Sequence, residues 1–183
     1  MSRPAVFLDR DGTLIEERGY LDRLDLLEIF PFTIDAVRLL NRAGFATVVI
    51  TNQAAIGRGI IDEPFLRQVH ETLDARLAAG GARIDAYYFC PHHPDAACAC
   101  RKPLPGMIER ACREMQLDPR RSVMVGDRWL DVACGHAAGA RSVLVRTGHG
   151  GHEEQHVPEA ARADAILNNL MEAVGWILRT SSR

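Results

Sequence analysis

The sequence predicts an α/β fold: a doubly wound, mostly parallel, Rossmann-like sheet with helices on both faces. Short β-rich runs alternate along the chain with amphipathic segments of helical length, a pattern that requires βαβ crossovers and a parallel sheet. A length of 183 residues corresponds to about one domain. Hydrophobic residues make up 47% of the chain, which is ordinary globular usage. We therefore expect residues 1–183 to form a single domain.

Short apolar runs predict the strands, because each has strand length and ends in polar or glycine residues. The runs are Val6–Leu8, Phe45–Ile50, Ile84–Phe89, Ser122–Val125 and Ser142–Val145. Nearly continuous apolar runs are typical of parallel strands that are covered on both faces. We therefore expect these strands at the centre of the molecule.

Several helical segments carry end signals. Thr33 is expected to cap the first helix and Gly44 to stop it. Asp62 is expected to cap the second helix, which Gly80 interrupts, and Pro105 suits the first turn of the third. Further helical patterns cover Leu130–Ala138 and Asn168–Leu178.

The connections between these elements are short. About one helix of chain separates Asp11 from Thr51, so no cap domain fits there and the site is expected to be open. The Gly/His-rich segment Thr147–Val157 is expected to form a loose surface loop.

The charge balance excludes some partners. Lys and Arg total 22 against 24 Asp and Glu, a formal net charge of -2, so no overall field attracts the chain to nucleic acid or to an anionic membrane. The sequence contains neither a signal-peptide core nor a membrane-length apolar stretch. Its five cysteines are an odd number, which favours metal chemistry in a reducing compartment over disulfides. We expect a cytoplasmic monomer without nucleic-acid or membrane partners.

Polar residues follow successive predicted strands at the points where those strands end. They are Asp9 and Asp11, then Thr51 and Asn52, then a Cys/His loop with Arg101 and Lys102, then Asp127 and Asp131. Ligands bind outside the carboxyl ends of the strands in an open α/β sheet. Carboxylates at one edge repel each other unless a cation lies among them, and few carboxylates without histidine suit Mg²⁺. An isolated Asp-x-Asp-Gly is typical of a solvated turn, but its position after a strand favours a metal site.

This group of residues suits phosphoryl transfer to a carboxylate. Asp9 would attack phosphorus and form an aspartyl phosphate, and Asp11 would act as general acid and then as general base. Thr51 and Asn52 offer a hydroxyl and an amide to the phosphoryl oxygens, and Lys102 adds a positive charge. A Thr-Asn pair that merely caps the following helix is the alternative.

In order and type, these residues resemble the motifs of the haloacid dehalogenase superfamily of Mg²⁺-dependent phosphatases. The matching segments are Asp9–Leu14, Thr51–Gln53, Lys102, and Val125–Asp127 with Asp131. The resemblance covers nearly the whole chain. It implies that Asp9 is the nucleophile, that Asp11 is the acid/base, and that Asp9, Asp127 and the backbone of Asp11 hold Mg²⁺.

The Cys/His loop at residues 90–100 has the composition of a structural zinc site. Cys90, His92, Cys98 and Cys100 offer three thiolates and one imidazole, the ligand set of a closed tetrahedral site. Chance clustering of cysteines is the alternative, and His93 is an alternative nitrogen ligand, although the resemblance favours His92. Such a cross-linked loop would fix Arg101 and Lys102 over the phosphoryl site.

The same loop resembles a branch of the superfamily, the D-glycero-D-manno-heptose 1,7-bisphosphate 7-phosphatases, and also the related histidinol-phosphate phosphatase domain. The residues that follow the first two motifs, Gly19-Tyr20 and Ile56–Gly59, favour the heptose enzymes. The resemblance implies substrate contacts at Glu17, Arg18, Gly19, Tyr20, Thr51, Asn52, Gln53, Ala54, Arg101, Lys102 and Arg128. Arg58 joins them because arginines on the surrounding loops suit a bisphosphorylated sugar. A small phosphorylated sugar is therefore the expected partner.

The sequence departs from that branch in two places. Arg128 stands where a lysine is common, and Ala54-Ala55 stands where Ser-Gly is usual. Arg128 keeps the charge and gains a bidentate fork, so the departures bear on the sugar and the anomer more than on the reaction. Histidinol phosphate remains the alternative substrate, and a non-catalytic phospho-signalling or zinc-scaffold domain is the alternative from another class.

Overall fold

Parallel strands form the central sheet of a computed structural model that describes residues 2–156, 158 and 162–181. The strands are β1 (Ala5–Leu8), β2 (Ala46–Asn52), β3 (Ala86–Cys90), β4 (Val123–Gly126), β5 (Arg141–Val145) and β6 (Ala165–Leu167). Their order across the sheet is β3-β2-β1-β4-β5-β6. In the centre, Phe7 lies opposite both Val48 of β2 and Met124 of β4. This strand order confirms the predicted doubly wound fold.

Helices cover both faces of the sheet. They are α1 (Thr33–Arg42), α2 (Ala54–Gly57), α3 (Glu63–Ala79), α4 (Gly106–Met115), α5 (Trp129–Ala137), α6 (Gly150–Glu153) and α7 (Leu170–Ser181). Val6 and Leu8 pack with α1, α3 and α7, whereas Ala5 and Phe7 pack with α4 and α5. Because successive strand residues point to opposite faces, β1 is apolar throughout and completely buried.

The order of the strands locates the ligand crevice. The chain runs outward from β1 to β3 on one side and from β4 to β6 on the other. Ligands bind at this reversal, outside the carboxyl ends of the two central strands. The backbone amide of Asp9 donates to the Val125 carbonyl over 2.9 Å, so β1 and β4 are still joined where the first candidate site residue appears.

One predicted cap is confirmed and another is wrong. The Asp62 carboxylate accepts a hydrogen bond of 2.8 Å from the Phe65 amide at the start of α3. Thr33, in contrast, is the first residue of α1 and does not cap it. Its hydroxyl donates to the Leu14 carbonyl over 2.8 Å, so this side chain joins the start of α1 to the segment after β1 instead of capping the helix.

The segment predicted as a loose loop from Thr147 contains helix α6, and its last residue, Val157, lies outside the described residues. Strand β6 and helix α2 were not predicted either. With three and four residues, they are too short to show a hydrophobic period. Within the described ranges, no helix combines the length and apolar character needed to cross a lipid bilayer.

Candidate active site

The structure brings the predicted catalytic residues together at the carboxyl edge of the sheet. Asp9, Asp11, Thr51 and Lys102 line one cleft of about 400 Å³. Thr51 lies at the end of β2, and Asp9 and Asp127 directly follow β1 and β4. The cleft therefore lies over the reversal of the strand order.

Lys102 is the centre of a buried ion cluster. Its ammonium group lies 2.8 Å from Asp9 Oδ1 and 2.6 Å from Asp131 Oδ1, and it donates to the Ile50 carbonyl over 2.8 Å. Burial by itself would lower the pKa of Lys102, but the charges of Asp131 and Asp9 raise it above its usual value. The side chain is thus a fixed cation.

Asp127 is a buried carboxylate with one unused oxygen. Oδ2 accepts a hydrogen bond of 2.8 Å from the His149 amide, whereas Oδ1 has no partner among the described residues. Oxygens of Asp9, Asp127 and Asp131 lie within 4.8 Å of one another. Burial, with the charges of Asp9 and Asp131, raises the pKa of Asp127 to about 9.

Asp9, like Asp127, is a buried carboxyl group close to other carboxylates. Burial raises the pKa of its carboxyl group to about 7, although Lys102 opposes the shift. A divalent cation among these oxygens would satisfy the unpaired Asp127 atom and reverse the repulsion. The donor set is oxygen only, which fits Mg²⁺.

Two glycines make room for the Asp127 carboxylate. Gly12 and Gly148 have φ angles of 79° and 56°, a region that other residues rarely adopt. A Cβ atom at either position would lie 2.2 Å from Asp127 Oδ2. The close approach of both loops to Asp127 therefore requires glycine.

Asp11 is held by two neighbours. Arg10 donates to both of its carboxylate oxygens, over 3.1 and 3.0 Å. Gln53 Nε2 donates to Asp11 Oδ2 over 3.1 Å and to Thr51 Oγ1 over 2.8 Å. Gln53 thus joins the candidate acid/base to the hydroxyl that was predicted to contact the phosphoryl group.

The Asn52 side chain has a different partner from the one expected. Its amide donates to the Lys102 carbonyl over 3.2 Å and accepts from the Lys102 amide over 3.1 Å. This reciprocal pair fixes the Lys102 backbone. The sequence predicted that the Asn52 amide would contact phosphoryl oxygens. In the structure this amide instead holds Lys102 in place.

Most of the predicted substrate residues line the cleft. They are Glu17, Gly19, Tyr20, Thr51, Asn52, Gln53, Ala54, Arg101, Lys102 and Arg128. Arg18 and Arg58 are not among the lining residues: Arg18 pairs with Glu28, and Arg58 is exposed after α2. Asp131, which was placed with Asp127 at a strand end, also lines the cleft, and the lining residues that were not predicted are Arg10, Leu21, Ala55, Pro94, Leu130 and His149. For His149, the signal available in the sequence was Gly148, which lies just beyond another strand end.

Two arginines give the cleft a cationic rim. Arg101 lines the cleft, and its Nη1 atom is buried without a hydrogen-bond partner among the described residues. Arg128 also lines the cleft. Its Nε lies 3.6 Å from Glu153 Oε1, and the other oxygen of that carboxylate accepts from the Trp129 amide. An anionic ligand would satisfy the unpaired guanidinium atom.

The four predicted zinc ligands converge beside the cleft. Cys90 Sγ lies 3.7 Å from Cys98 Sγ and 3.5 Å from His92 Nδ1, and Cys100 Sγ lies 3.2 Å from the same nitrogen. Tetrahedral Zn–S bonds of about 2.3 Å separate sulfur atoms by about 3.8 Å, so the observed spacing fits zinc. His93 is turned away, and its Nδ1 accepts from the Asp95 amide.

Comparisons with known proteins agree with this geometry. A family model described as HAD-hydrolase-like, for haloacid dehalogenase-like, matches residues 99–173. The chain is 42% identical over 179 residues to the D-glycero-beta-D-manno-heptose-1,7-bisphosphate 7-phosphatase of Yersinia pestis, covering 93% of both chains. It is 41% identical over 180 residues to the enzyme of the same name from Escherichia coli strain K12, covering 93% of this chain and 92% of that one.

A solved structure extends the comparison to three dimensions. The D,D-heptose 1,7-bisphosphate phosphatase from B. bronchiseptica, complexed with magnesium and phosphate, matches with a TM-score of 0.89 and 32% sequence identity. The match covers 97% of this chain and 99% of that chain.

Proposed function

The chain belongs to the D-glycero-beta-D-manno-heptose-1,7-bisphosphate 7-phosphatase family of haloacid dehalogenase-like hydrolases, and we propose that it removes the 7-phosphate of this sugar through a phosphoaspartate at Asp9. It is a phosphoric monoester hydrolase. The beta anomer is the proposed substrate because the named relatives act on that form.

The chemistry divides between two aspartates. An Asp9 oxygen attacks phosphorus, so that an oxygen–phosphorus bond forms as the bond to the sugar oxygen breaks. Asp11 donates its proton to the departing sugar oxygen. Asp11 then takes a proton from the water that attacks the phosphoaspartate, which releases inorganic phosphate and regenerates both carboxyl groups.

Fixed donors around Asp9 stabilise the charge that develops on the phosphoryl group. The Lys102 ammonium already lies 2.8 Å from Asp9 Oδ1, and the Thr51 hydroxyl accepts from Gln53 and can still donate its own proton. Removing one such preorganised donor costs roughly 10²- to 10³-fold in rate. Asn52 contributes by holding the Lys102 backbone.

Two metals complete the proposal. Asp9, Asp127 and the Asp11 backbone would hold Mg²⁺, which supplies Lewis-acid neutralisation of the phosphoryl oxygens when bound. Cys90, His92, Cys98 and Cys100 would hold a structural Zn²⁺, because four ligands leave no open position for chemistry. These four ligands lie in the Cys/His loop at residues 90–100, called the zinc loop below. It directly precedes Arg101 and Lys102, so its role is to place them.

The second phosphate of the substrate accounts for the cationic rim. Arg101 and Arg128 line the cleft, and the buried Arg101 Nη1 atom has no hydrogen-bond partner among the described residues. Phosphate groups suit the planar donors of arginine. We assign these two residues to the 1-phosphate, which remains on the product.

The observation that carries this proposal is the convergence of Asp9, Asp127 and Lys102 at one strand edge. It is tested by phosphate release from both anomers of the heptose bisphosphate, fructose bisphosphate and histidinol phosphate, with Mg²⁺ present. We expect the beta heptose bisphosphate to have the highest kcat/KM. A higher kcat/KM for histidinol phosphate would overturn the substrate assignment.

The role of Asp9 is tested separately. Asp9→Asn should lower kcat by more than about 10³-fold, because the amide cannot form the covalent intermediate. Fluoroberyllate should modify Asp9 in the wild type and leave the variant unlabelled, as read by mass spectrometry or NMR. Turnover by Asp9→Asn near the wild-type rate would exclude the phosphoaspartate route.

A further inference from the structure

Arg10 is a fully buried arginine inside the active-site wall. Its side chain is 2% exposed, although it stands between the nucleophile and the acid/base in the sequence. A buried guanidinium must have its donors satisfied. Arg10 donates twice to the Asp11 carboxylate and once, over 3.1 Å, to Gln53 Oε1.

The remaining contact of Arg10 is with His70 of α3. Arg10 Nη1 donates to His70 Nε2 over 3.4 Å. Burial, together with the charge of Arg10, lowers the pKa of His70 to about 3. The imidazole is therefore neutral, and its unprotonated Nε2 can accept the hydrogen bond.

The His70 ring is itself held in place. It stacks on the Tyr87 ring at 4.2 Å between centroids, and it meets the Phe89 ring edge to face with 6.4 Å between centroids. The Tyr87 hydroxyl donates to Asp74 over 2.5 Å. A rigid line of contacts thus runs from α3 and β3 through His70 and Arg10 to Asp11.

We propose that His70 is a positioning residue for the reaction: through Arg10 it fixes the Asp11 carboxyl group where proton transfer to the leaving oxygen occurs. The inference rests on the proposed role of Asp11 as acid/base. His70 is not among the described residues that line the cleft, so it acts through Arg10. Its effect comes from geometry, since a misplacement of about 1 Å in a catalytic group can cost roughly 10²-fold in rate.

The test uses two leaving groups. The sugar oxygen needs a proton to depart, whereas the nitrophenolate of p-nitrophenyl phosphate leaves without one. His70→Phe keeps a ring on Tyr87 and removes the acceptor for Arg10. We expect it to lower kcat/KM about 10-fold or more on the heptose bisphosphate and less than about 3-fold on p-nitrophenyl phosphate.

Two further variants separate positioning from folding. His70→Gln restores an acceptor that Arg10 can reach, so it should recover most of the loss. Leu73→Ala, one turn along the same helix in the apolar core, should lower the melting temperature and leave the ratio of the two substrates unchanged. If His70→Phe does not fold, Arg10→Lys should show the same selective loss, because lysine cannot make the paired contacts with Asp11.

The outcomes are distinct. Equal losses of His70→Phe on both substrates, or no loss on either, would overturn the positioning role. If the wild type does not hydrolyse heptose bisphosphate, the proposed substrate is wrong. The positioning role is then read by comparing p-nitrophenyl phosphate with whichever sugar phosphate the wild type does hydrolyse.

Discussion

Lys102 and Asp9 are 93 residues apart in the chain and 2.8 Å apart in the structure. With Asp131 they form a buried cluster that water does not screen. Such a cluster contributes to catalysis because its charges are already in place before substrate arrives. It also makes folding depend on each member, because any charge left without its partner stays buried.

Lys102→Met should therefore destabilise the metal-free protein by about 3 to 5 kcal/mol, because it leaves Asp9 and Asp131 without their counter-ion. Urea denaturation at neutral pH measures the change. The matched control is Arg110→Met, which removes an exposed ion pair with Glu114 and should leave stability unchanged. Equal stability of the two variants would contradict a tightly paired cluster.

The buried His70 imidazole should make the folding stability depend on pH. Its pKa is about 3 when folded and about 6.5 when unfolded, so the unfolded chain binds the extra proton as pH falls through this window. Wild-type stability should fall relative to His70→Gln between pH 6.5 and 3, by up to roughly 2 kcal/mol at pH 5. Parallel stability curves for the two proteins would contradict a buried neutral imidazole.

At the scale of elements, two helices clamp the zinc loop. A Cβ atom on Gly57 of α2 would lie 2.2 Å from the His93 amide nitrogen, and one on Gly106 of α4 would lie 2.2 Å from the Ala99 carbonyl oxygen. The loop is thus held on both sides by backbone contacts. Because Arg101 and Lys102 directly follow the loop, the position of the loop also determines where these two side chains lie in the phosphoryl site.

Gly57→Ala should displace the zinc loop and lower kcat/KM about 10-fold or more, because catalytic groups tolerate little misplacement. The control is Gly175→Ala in α7, where the nearest atom to the new Cβ is the flexible end of Arg179. That change should leave kcat/KM unchanged and stabilise the helix by roughly 0.5 to 1 kcal/mol. Unchanged kcat/KM in Gly57→Ala would mean that the clamp does not place Lys102.

At the scale of the whole molecule, the candidate metal site joins the two halves of the sheet. Asp9 directly follows β1 and Asp127 directly follows β4, on the two sides of the strand reversal. A ligand that binds the folded state and not the unfolded chain stabilises the whole fold. Mg²⁺ should therefore act on global stability as well as on rate.

Mg²⁺ at about 100 times its dissociation constant should stabilise the protein by about 2.7 kcal/mol, which is a rise in melting temperature of roughly 5 to 10 °C for a domain of this size. Calorimetry on zinc-loaded protein with and without Mg²⁺ measures it. Asp127→Asn should abolish the shift while retaining the zinc. A persistent shift in that variant would locate the ion elsewhere.

The fold class and the residues at the strand ends could be predicted from the amino-acid sequence. Apolar runs and helical segments alternate regularly, and parallel strands bring their carboxyl ends to one edge, so Asp9, Thr51 and Asp127 were predictable neighbours. The spacing of Cys90, His92, Cys98 and Cys100 was equally informative, because the ligands lie in one short loop. Both signals are local in the chain.

The pairing of side chains could be read only from the folded structure. The contact of Arg10 with His70 joins residues 60 apart, and that of Asn52 with Lys102 joins residues 50 apart. Thr33 was misassigned for the same reason, since its partner Leu14 lies outside the helix. Such pairings follow from how helices and loops pack across the sheet, and no period or spacing in a single sequence records that packing.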